Sequence, residues 1–471
     1  MLGRAVRAVG SWLELRFEFG DSVGAVLRHP VPASLERRVG WWYVFGSATF
    51  AIFIVQVATG VGLAMTYVPA PNSAYQSLQF ISQEATLGNV VRGIHYFGAG
   101  AMVVLVLVHM TQVFLFGSYK FPREANWLTG SLLLLLTLAM AFTGQLLRWD
   151  QNAFWAIVVA AEQAARAPFI GGFLATLVVA GQNVGGATLT RFYATHVFLI
   201  PAAIFGFIGL HLYLVVKRGI SEPPEAGMPV AGPTYPARYR EILRHGIPFW
   251  PESAWRDAVA SLAAVIIVVV LAVVAGAPLL GPLPDPTNVV ADPRPDWYFI
   301  GYFALLALIP NQLETVIIIG LPTLAFLFLF ALPLVRPYGE RHWSRRPAAI
   351  AAVAFGLIAY SALTAAGFAS PWAPVSTQGA SLPAAVTAGL DPVEQRGARL
   401  FVSKSCFACH AIDGAGGRRG PDLSAVAGRL GYDRLVTRIL NGGGGMPAYA
   451  NALDAGEVEA LARFLGTRRP Q

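Results

Sequence analysis

Seven apolar stretches in this chain are each long enough to cross a bilayer, near residues 41–66, 90–116, 127–147, 192–216, 257–279, 313–335 and 347–368. A transmembrane helix needs about 20 such residues. Lipid offers no partner to a backbone N–H or C=O, so each span must be a helix that satisfies its own groups. Composition agrees. Of 471 residues 55% are hydrophobic and 13% charged, at a mean hydropathy of +0.55, whereas a soluble domain carries about 25% charged residues. Two more apolar stretches, 152–180 and 299–310, contain Gly and Pro and are expected at the membrane interface.

The net charge of +8 would suit nucleic acid, but the distribution of Lys and Arg excludes it. They gather in alternate short loops: six in 1–39, two in 118–126, five in 217–254 and four in 336–346. The intervening loops 67–88, 148–191 and 279–312 hold zero, three and one. This is an orientation pattern rather than a polyanion-binding face. It places the N-terminus on the cytoplasmic side and, after seven spans, the C-terminal end outside. Residues 1–39 read as a surface amphipathic segment, with no removable signal peptide expected.

Four of the eight histidines lie inside spans. His95 and His109 are 14 apart in the second, His196 and His211 15 apart in the fourth. At 100° per residue these spacings return to within about 40° and about 60° of one face, roughly 21 Å apart along the axis. One such histidine alone would suit a hydrogen-bonded core role. Two helices repeating the spacing point instead to two facing pairs, each clamping a haem b. Bis-imidazole iron has no open position, so such haems transfer electrons. Gly46 and Gly60 in the first span, and Gly130 and Gly144 in the third, share the 14-residue spacing and would let a flat macrocycle approach the backbone. Arg92 and Arg191 stand near the outer histidines as candidate partners for haem propionates; snorkelling interfacial arginines are the alternative.

The only two cysteines are Cys406 and Cys409, in the run Cys406-Phe-Ala-Cys409-His410. CxxCH is the signature of covalent haem c attachment. His410 supplies one axial ligand. Residues 391–471 contain a single methionine, Met446, in a glycine-rich run that can fold over a haem, and elimination makes it the other ligand. The segment 369–390, rich in Ala, Ser, Pro and Gly, reads as a linker.

The segments Val91–Phe97, Thr143–Ala156 and Thr188–His196 resemble cytochrome b of the quinol–cytochrome c reductases, over roughly residues 10–368, and the 14/15 spacing is similar to the b6-type branch. Residues 391–471 resemble class I cytochromes c. The resemblance implies that His95 pairs with His196 on the outer-side haem and His109 with His211 on the inner-side haem. Asp292–Tyr298 (DPRPDWY) is similar to the family's PEWY motif, with Asp296 in place of glutamate. Asp296 is the expected acceptor of a quinol proton and Tyr298 its hydrogen-bonding neighbour; an aromatic interfacial anchor is the alternative. Two positions depart from the family. Val44 stands where the b6-type branch has a haem-tethering cysteine, and Arg148 where proline is usual. Lys217 and Arg218, at the end of the fourth span, are equally explained by positive-inside charge.

The expected protein is all-α: a membrane bundle of about seven transmembrane helices, four of them holding haem, plus a small soluble helical cytochrome c domain. The expected divisions are 1–39, the amphipathic segment; 40–220, the dihaem domain; 221–368, similar to the separate subunit of b6-type complexes; 369–390, the linker; and 391–471, the cytochrome c domain. The reading is a fused quinol–cytochrome c oxidoreductase subunit in a bacterial cytoplasmic membrane, coupled to proton translocation. Its cofactors are two haem b and one haem c, its substrate quinol and quinone. No cysteine remains for an iron–sulfur cluster, so a separate Rieske protein is expected, with a downstream cytochrome or oxidase. The resemblance implies a homodimer. The rival is a dihaem membrane anchor or conduit for a periplasmic dehydrogenase.

Overall fold

The computed structural model describes residues 24, 27–181, 183–288, 294–369, 381–417, 420–442, 446–450 and 452–470. Residues 1–23 of the expected amphipathic segment, Asp292 and Pro293 of the DPRPDWY run, and 370–380 of the linker lie outside them.

Among the described residues seven helices are long and apolar enough to cross a membrane: Arg38–Ala64, Gly88–Leu115, Glu124–Leu146, Gly186–Arg218, Phe249–Ala275, Gln312–Val335 and Pro347–Ala369. The fourth begins six residues before the apolar stretch, because its first turns carry polar residues such as Arg191 and leave the hydrocarbon. The fifth stops at Ala275 rather than 279, where Gly276 adopts φ 71°, a left-handed stop that apolar run-length does not register.

We number the helices α1 (Phe45–Ala64), α2 (Ala74–Gln83), α3 (Gly88–Leu115), α4 (Glu124–Leu146), α5 (Gln151–Ala165), α6 (Gly171–Val179) and α7 (Gly186–Arg218). α1 packs along α3, and α4 along the second half of α7. Between these pairs lies an apolar middle layer of Phe53, Ile200 and Ile204 with Met102, Leu136 and Ile208 around them. After α8 (Tyr235–Arg244), α9 (Ala254–Ala275) lies against both α1 and α3. Its other face, with Leu262, Ile266, Ile267 and Val270, is exposed, as a lipid-facing surface would be. α10 (Trp297–Leu308) packs on α12 (Pro347–Ala369), and α11 (Asn311–Val335) reaches α4. β1 (Pro30–Val31) pairs antiparallel with β2 (Ile247–Pro248), which ties the chain entering the first span to the start of the fifth.

Beyond residue 381, α14 (Pro392–Ser403), α16 (Tyr432–Asn441) and α17 (Ala455–Gly466) enclose a separate small core of Phe401, Ile412, Leu435, Leu461 and Phe464, after the short α13 (Ala384–Thr387) and with the one-turn α15 (Cys406–Cys409) beside it. α14 and α17 start on the same device. Asp391 and Asp454 each accept from the backbone N–H three residues on, and Glu394 and Glu457 return the bond. The two helices meet so closely that a Cβ on Gly397 would collide with the Ala460 carbonyl oxygen.

Candidate haem and quinol sites

The four span histidines come together in two levels of the α1–α3–α4–α7 bundle. At one level the rings of His95 and His196 face each other with centroids 6.3 Å apart and planes at 80°. At the other, His109 lies against Gly46 of α1 and His211 against Gly130 of α4. The 15-residue spacing on α7 is absorbed locally. Thr195–Leu199 forms a π-turn, in which Ile200 N–H bonds the carbonyl of Thr195, five residues back. Pro201 follows, and its missing N–H leaves the regular i−4 ladder nothing to continue with. One extra residue in the turn makes 15 behave as 14, so both helices present their histidines in phase.

Three of the four imidazoles have a fixed tautomer. Thr59, Thr143 and Thr129 donate their hydroxyl hydrogens to the carbonyls of Val55 (2.7 Å), Ala139 (2.8 Å) and Ala125 (3.0 Å). Their lone pairs therefore face His95, His196 and His211, whose Nδ1 atoms lie 3.0, 3.0 and 2.9 Å away. The shared hydrogen in each case belongs to the imidazole, which leaves Nε2 with a free lone pair for a metal. Each threonine directly precedes one of the spaced glycines, and each glycine lies on a ring. A Cβ on Gly60, Gly46, Gly130 or Gly144 would stand 3.2, 3.3, 3.5 or 2.6 Å from Cε1 of His95, His109, His211 or His196. A metal–nitrogen bond is about 2 Å, so two imidazoles sharing one ion stand with centroids roughly 6 Å apart. The donor set, tautomers and glycine clearances fit a haem at the His95–His196 level, and the matched glycines extend the fit to His109–His211.

Arg92 is buried and already bonded to Ser82 Oγ (2.9 Å) and the Pro278 carbonyl (2.7 Å). Arg191 donates to the Leu177 carbonyl at 2.8 Å from an exposed position. The cysteine-less position Val44 is buried at the entrance to α1.

Asp296 directly precedes α10, and its carboxylate accepts from Tyr298 Oη at 2.7 Å. Burial raises its pKa above the ordinary carboxylate range, while the Tyr298 hydroxyl and the charge of Arg148 pull it back. Tyr298 is pushed up by burial and by the same carboxylate. Two routes connect this pair to the His95–His196 level. Tyr96, next in the chain to His95, is within electrostatic reach of Asp296. Phe299 stands edge-on to Phe142 at 6.4 Å, and Phe142 adjoins Thr143, which holds His196. Arg148, unexplained by sequence, pairs with Asp150, bonding it through Nε at 3.0 Å. Asp150 is wholly buried, caps α5 through Ala153 N–H and accepts from Gly281 N–H, both at 3.0 Å. Arg148 thus helps hold the start of α5 against the loop that leads to Asp296.

At the His109–His211 end, Asp257 stands in the first turn of α9, which packs along α1. Nearby loops are closed by Glu222, which takes Arg341 at 2.9 Å and the Tyr235 hydroxyl at 2.8 Å. Several of the basic residues counted for orientation are therefore also structural: Arg123 bonds the Gly219 carbonyl (2.9 Å) and Tyr235 (2.7 Å).

In the C-terminal domain Cys406 and Cys409 stand at the two ends of α15. His410 Nδ1 lies 2.8 Å from the Pro421 carbonyl, an acceptor only, so Nδ1 carries the hydrogen and Nε2 is free to ligate. Met446 packs against the domain core; Gly443–Gly445 lie outside the described residues. These groups fit a covalently attached haem.

Sequence reasoning missed Thr59, Thr129, Thr143, Tyr96, Asp150 and Asp257. Only the threonines left a visible mark, three Thr-Gly pairs at the spaced glycines.

Residues 30–219 match the family model Cytochrome b/b6/petB, 283–385 match Cytochrome b(C-terminal)/b6/petD, and 392–465 match Cytochrome C oxidase, cbb3-type, subunit III. Cytochrome b6 of Heliobacterium mobile is 38% identical over 214 residues, 45% of this chain and 99% of that protein. The menaquinol:cytochrome c reductase cytochrome b subunit of Bacillus subtilis (strain 168) is 38% identical over 216 residues, 45% of this chain and 96% of that protein. Among solved structures, a hyperthermophilic respiratory Complex III chain aligns with TM-score 0.63 at 25% identity, covering 78% of this chain and 92% of that one.

Proposed function

The chain belongs to the cytochrome b/b6 family and ends in a cytochrome c domain, and on that premise we propose that it is the fused cytochrome b–cytochrome c subunit of a quinol–cytochrome c oxidoreductase. Two haem b held by His95–His196 and His109–His211, and one haem c held by Cys406, Cys409, His410 and Met446, would supply one-electron transfer. The carrying observation is the fixed tautomer of His95, His196 and His211, each with Nδ1 engaged and Nε2 left for a metal.

Oxidising a quinol releases two protons with its two electrons. Asp296 takes one of those protons, and the Tyr298 hydroxyl on its Oδ2 holds the carboxylate in place. Burial raises the proton affinity of Asp296, and the Tyr298 hydroxyl and the charge of Arg148 oppose that rise. At the other end Asp257, in the first turn of α9, is a carboxyl that can pass protons to a quinone being reduced on that side. Releasing protons outside and taking them up inside builds a proton-motive force. The loop charges support this orientation, with the cytochrome c domain outside. The chain's two cysteines both belong to CxxCH, so the electron that leaves quinol toward haem c needs a separate high-potential acceptor, a Rieske protein. The working complex is a dimer in a bacterial cytoplasmic membrane.

The test is quinol:cytochrome c reductase activity of the purified complex with Asp296→Asn. A proton acceptor predicts a large loss of turnover with unchanged haem spectra. A passive conduit for a dehydrogenase predicts no change, and that result overturns the reading.

A further inference from the structure

Three of the four span imidazoles are held by a threonine hydroxyl, and the fourth is not. Thr59, Thr129 and Thr143 each stand one residue before the glycine lying on the same ring and receive its Nδ1–H. Before Gly46 the residue is Phe45, and His109 Nδ1, which is buried, has no hydrogen-bond partner among the described residues.

A slip in helix register does not explain this. A Cβ on Gly46 would stand 3.3 Å from His109 Cε1, and one on Gly60 3.2 Å from His95 Cε1, so the two glycines address their rings alike. The difference lies in the preceding side chain. Phe45 opens α1 and turns its ring toward Trp42, centroids 6.4 Å apart, where the other three positions present an oxygen.

An acceptor on Nδ1–H gives an imidazole anionic character, makes it a stronger donor to its metal and stabilises the oxidised ion; withholding the acceptor does the reverse. Resting on the haem-ligand reading above, we propose that Phe45 is a positioning residue that tunes the His109–His211 centre: by denying His109 an acceptor it leaves this ligand the weakest donor of the four and makes that centre the easier to reduce. The asymmetry gives electrons arriving at the His95–His196 level a reason to move on across the membrane.

The test is a redox titration of the two b-type centres in the full-length, haem-loaded chain, followed optically and by the EPR signal of each ferric bis-imidazole centre. Phe45→Thr and Phe45→Val have nearly the same shape and differ by one hydroxyl. The midpoint of the His109–His211 centre falls in Phe45→Thr relative to Phe45→Val, with the other centre unmoved. Thr59→Val, the converse change, raises the midpoint of the His95–His196 centre alone. Coincident midpoints in Phe45→Thr and Phe45→Val, or an unmoved midpoint in Thr59→Val, overturn the proposal while leaving two-haem binding intact. Loss of two-centre titration in the unmodified chain would overturn the haem reading as well.

Discussion

The four spaced glycines should differ in how they tolerate alanine, and the structure ranks them. A new Cβ at Gly144 would lie 2.6 Å from His196 Cε1 and 3.2 Å from its Nε2, the atom needed for ligation. Carbon–carbon contact is comfortable at about 3.5–4.0 Å, so the ring must retreat by roughly 1 Å. Thr143 resists that retreat by holding Nδ1 from the preceding residue. At Gly60 and Gly46 the clearances of 3.2 and 3.3 Å ask for a few tenths of an ångström, and at Gly130 the clearance of 3.5 Å asks for nothing. Overpacking a closed site costs about 1–3 kcal/mol, which corresponds to a 5- to 150-fold weaker hold on the ligand. Gly144→Ala is therefore expected to lose haem during purification by tens of fold, Gly60→Ala and Gly46→Ala by a few fold, and Gly130→Ala least. Haem b per chain, measured by pyridine haemochrome after detergent extraction, gives the ranking. Retention in Gly144→Ala together with loss in Gly130→Ala would refute the reasoning from imidazole clearance.

Three other expectations follow from single contacts. Quinol oxidation needs Asp296 deprotonated, so turnover falls as pH drops through its raised pKa; Arg148 opposes that rise, and Arg148→Gln should move the acid limb of the pH–rate profile to higher pH. Asp150→Ala removes a helix cap and the acceptor of Gly281 N–H and leaves Arg148 unpaired, which should lower stability by about 2–3 kcal/mol in thermal unfolding followed by near-UV circular dichroism. Met446→Ala should keep the haem covalently attached but lower its midpoint in a redox titration, because the thioether ligand is gone.

Span number and the phase of the histidines were legible in the sequence because both follow from one period, 3.6 residues per turn, and from the length of apolar runs. The glycines shared that period. The threonines did not announce themselves: a Thr-Gly pair inside a helix means nothing until a facing imidazole fixes its register. The π-turn at Thr195–Leu199 hid in an odd spacing that a regular helix tolerates only loosely. Arg148 was opaque because its meaning lies in Asp150, which also holds Gly281, 131 residues further along the chain. Asp257 was passed over because a carboxylate at the mouth of a span reads as an ordinary helix start.

The central claim is that this one chain binds two extractable haems between histidine pairs and one covalent haem at CxxCH. Pyridine haemochrome quantitation of the purified chain, before and after acid–acetone extraction, tests it directly. The account predicts two extractable b haems for each haem that stays with the polypeptide. One extractable haem or none would contradict the paired-histidine reading, and no covalent haem would contradict the assignment of Cys406, Cys409 and His410.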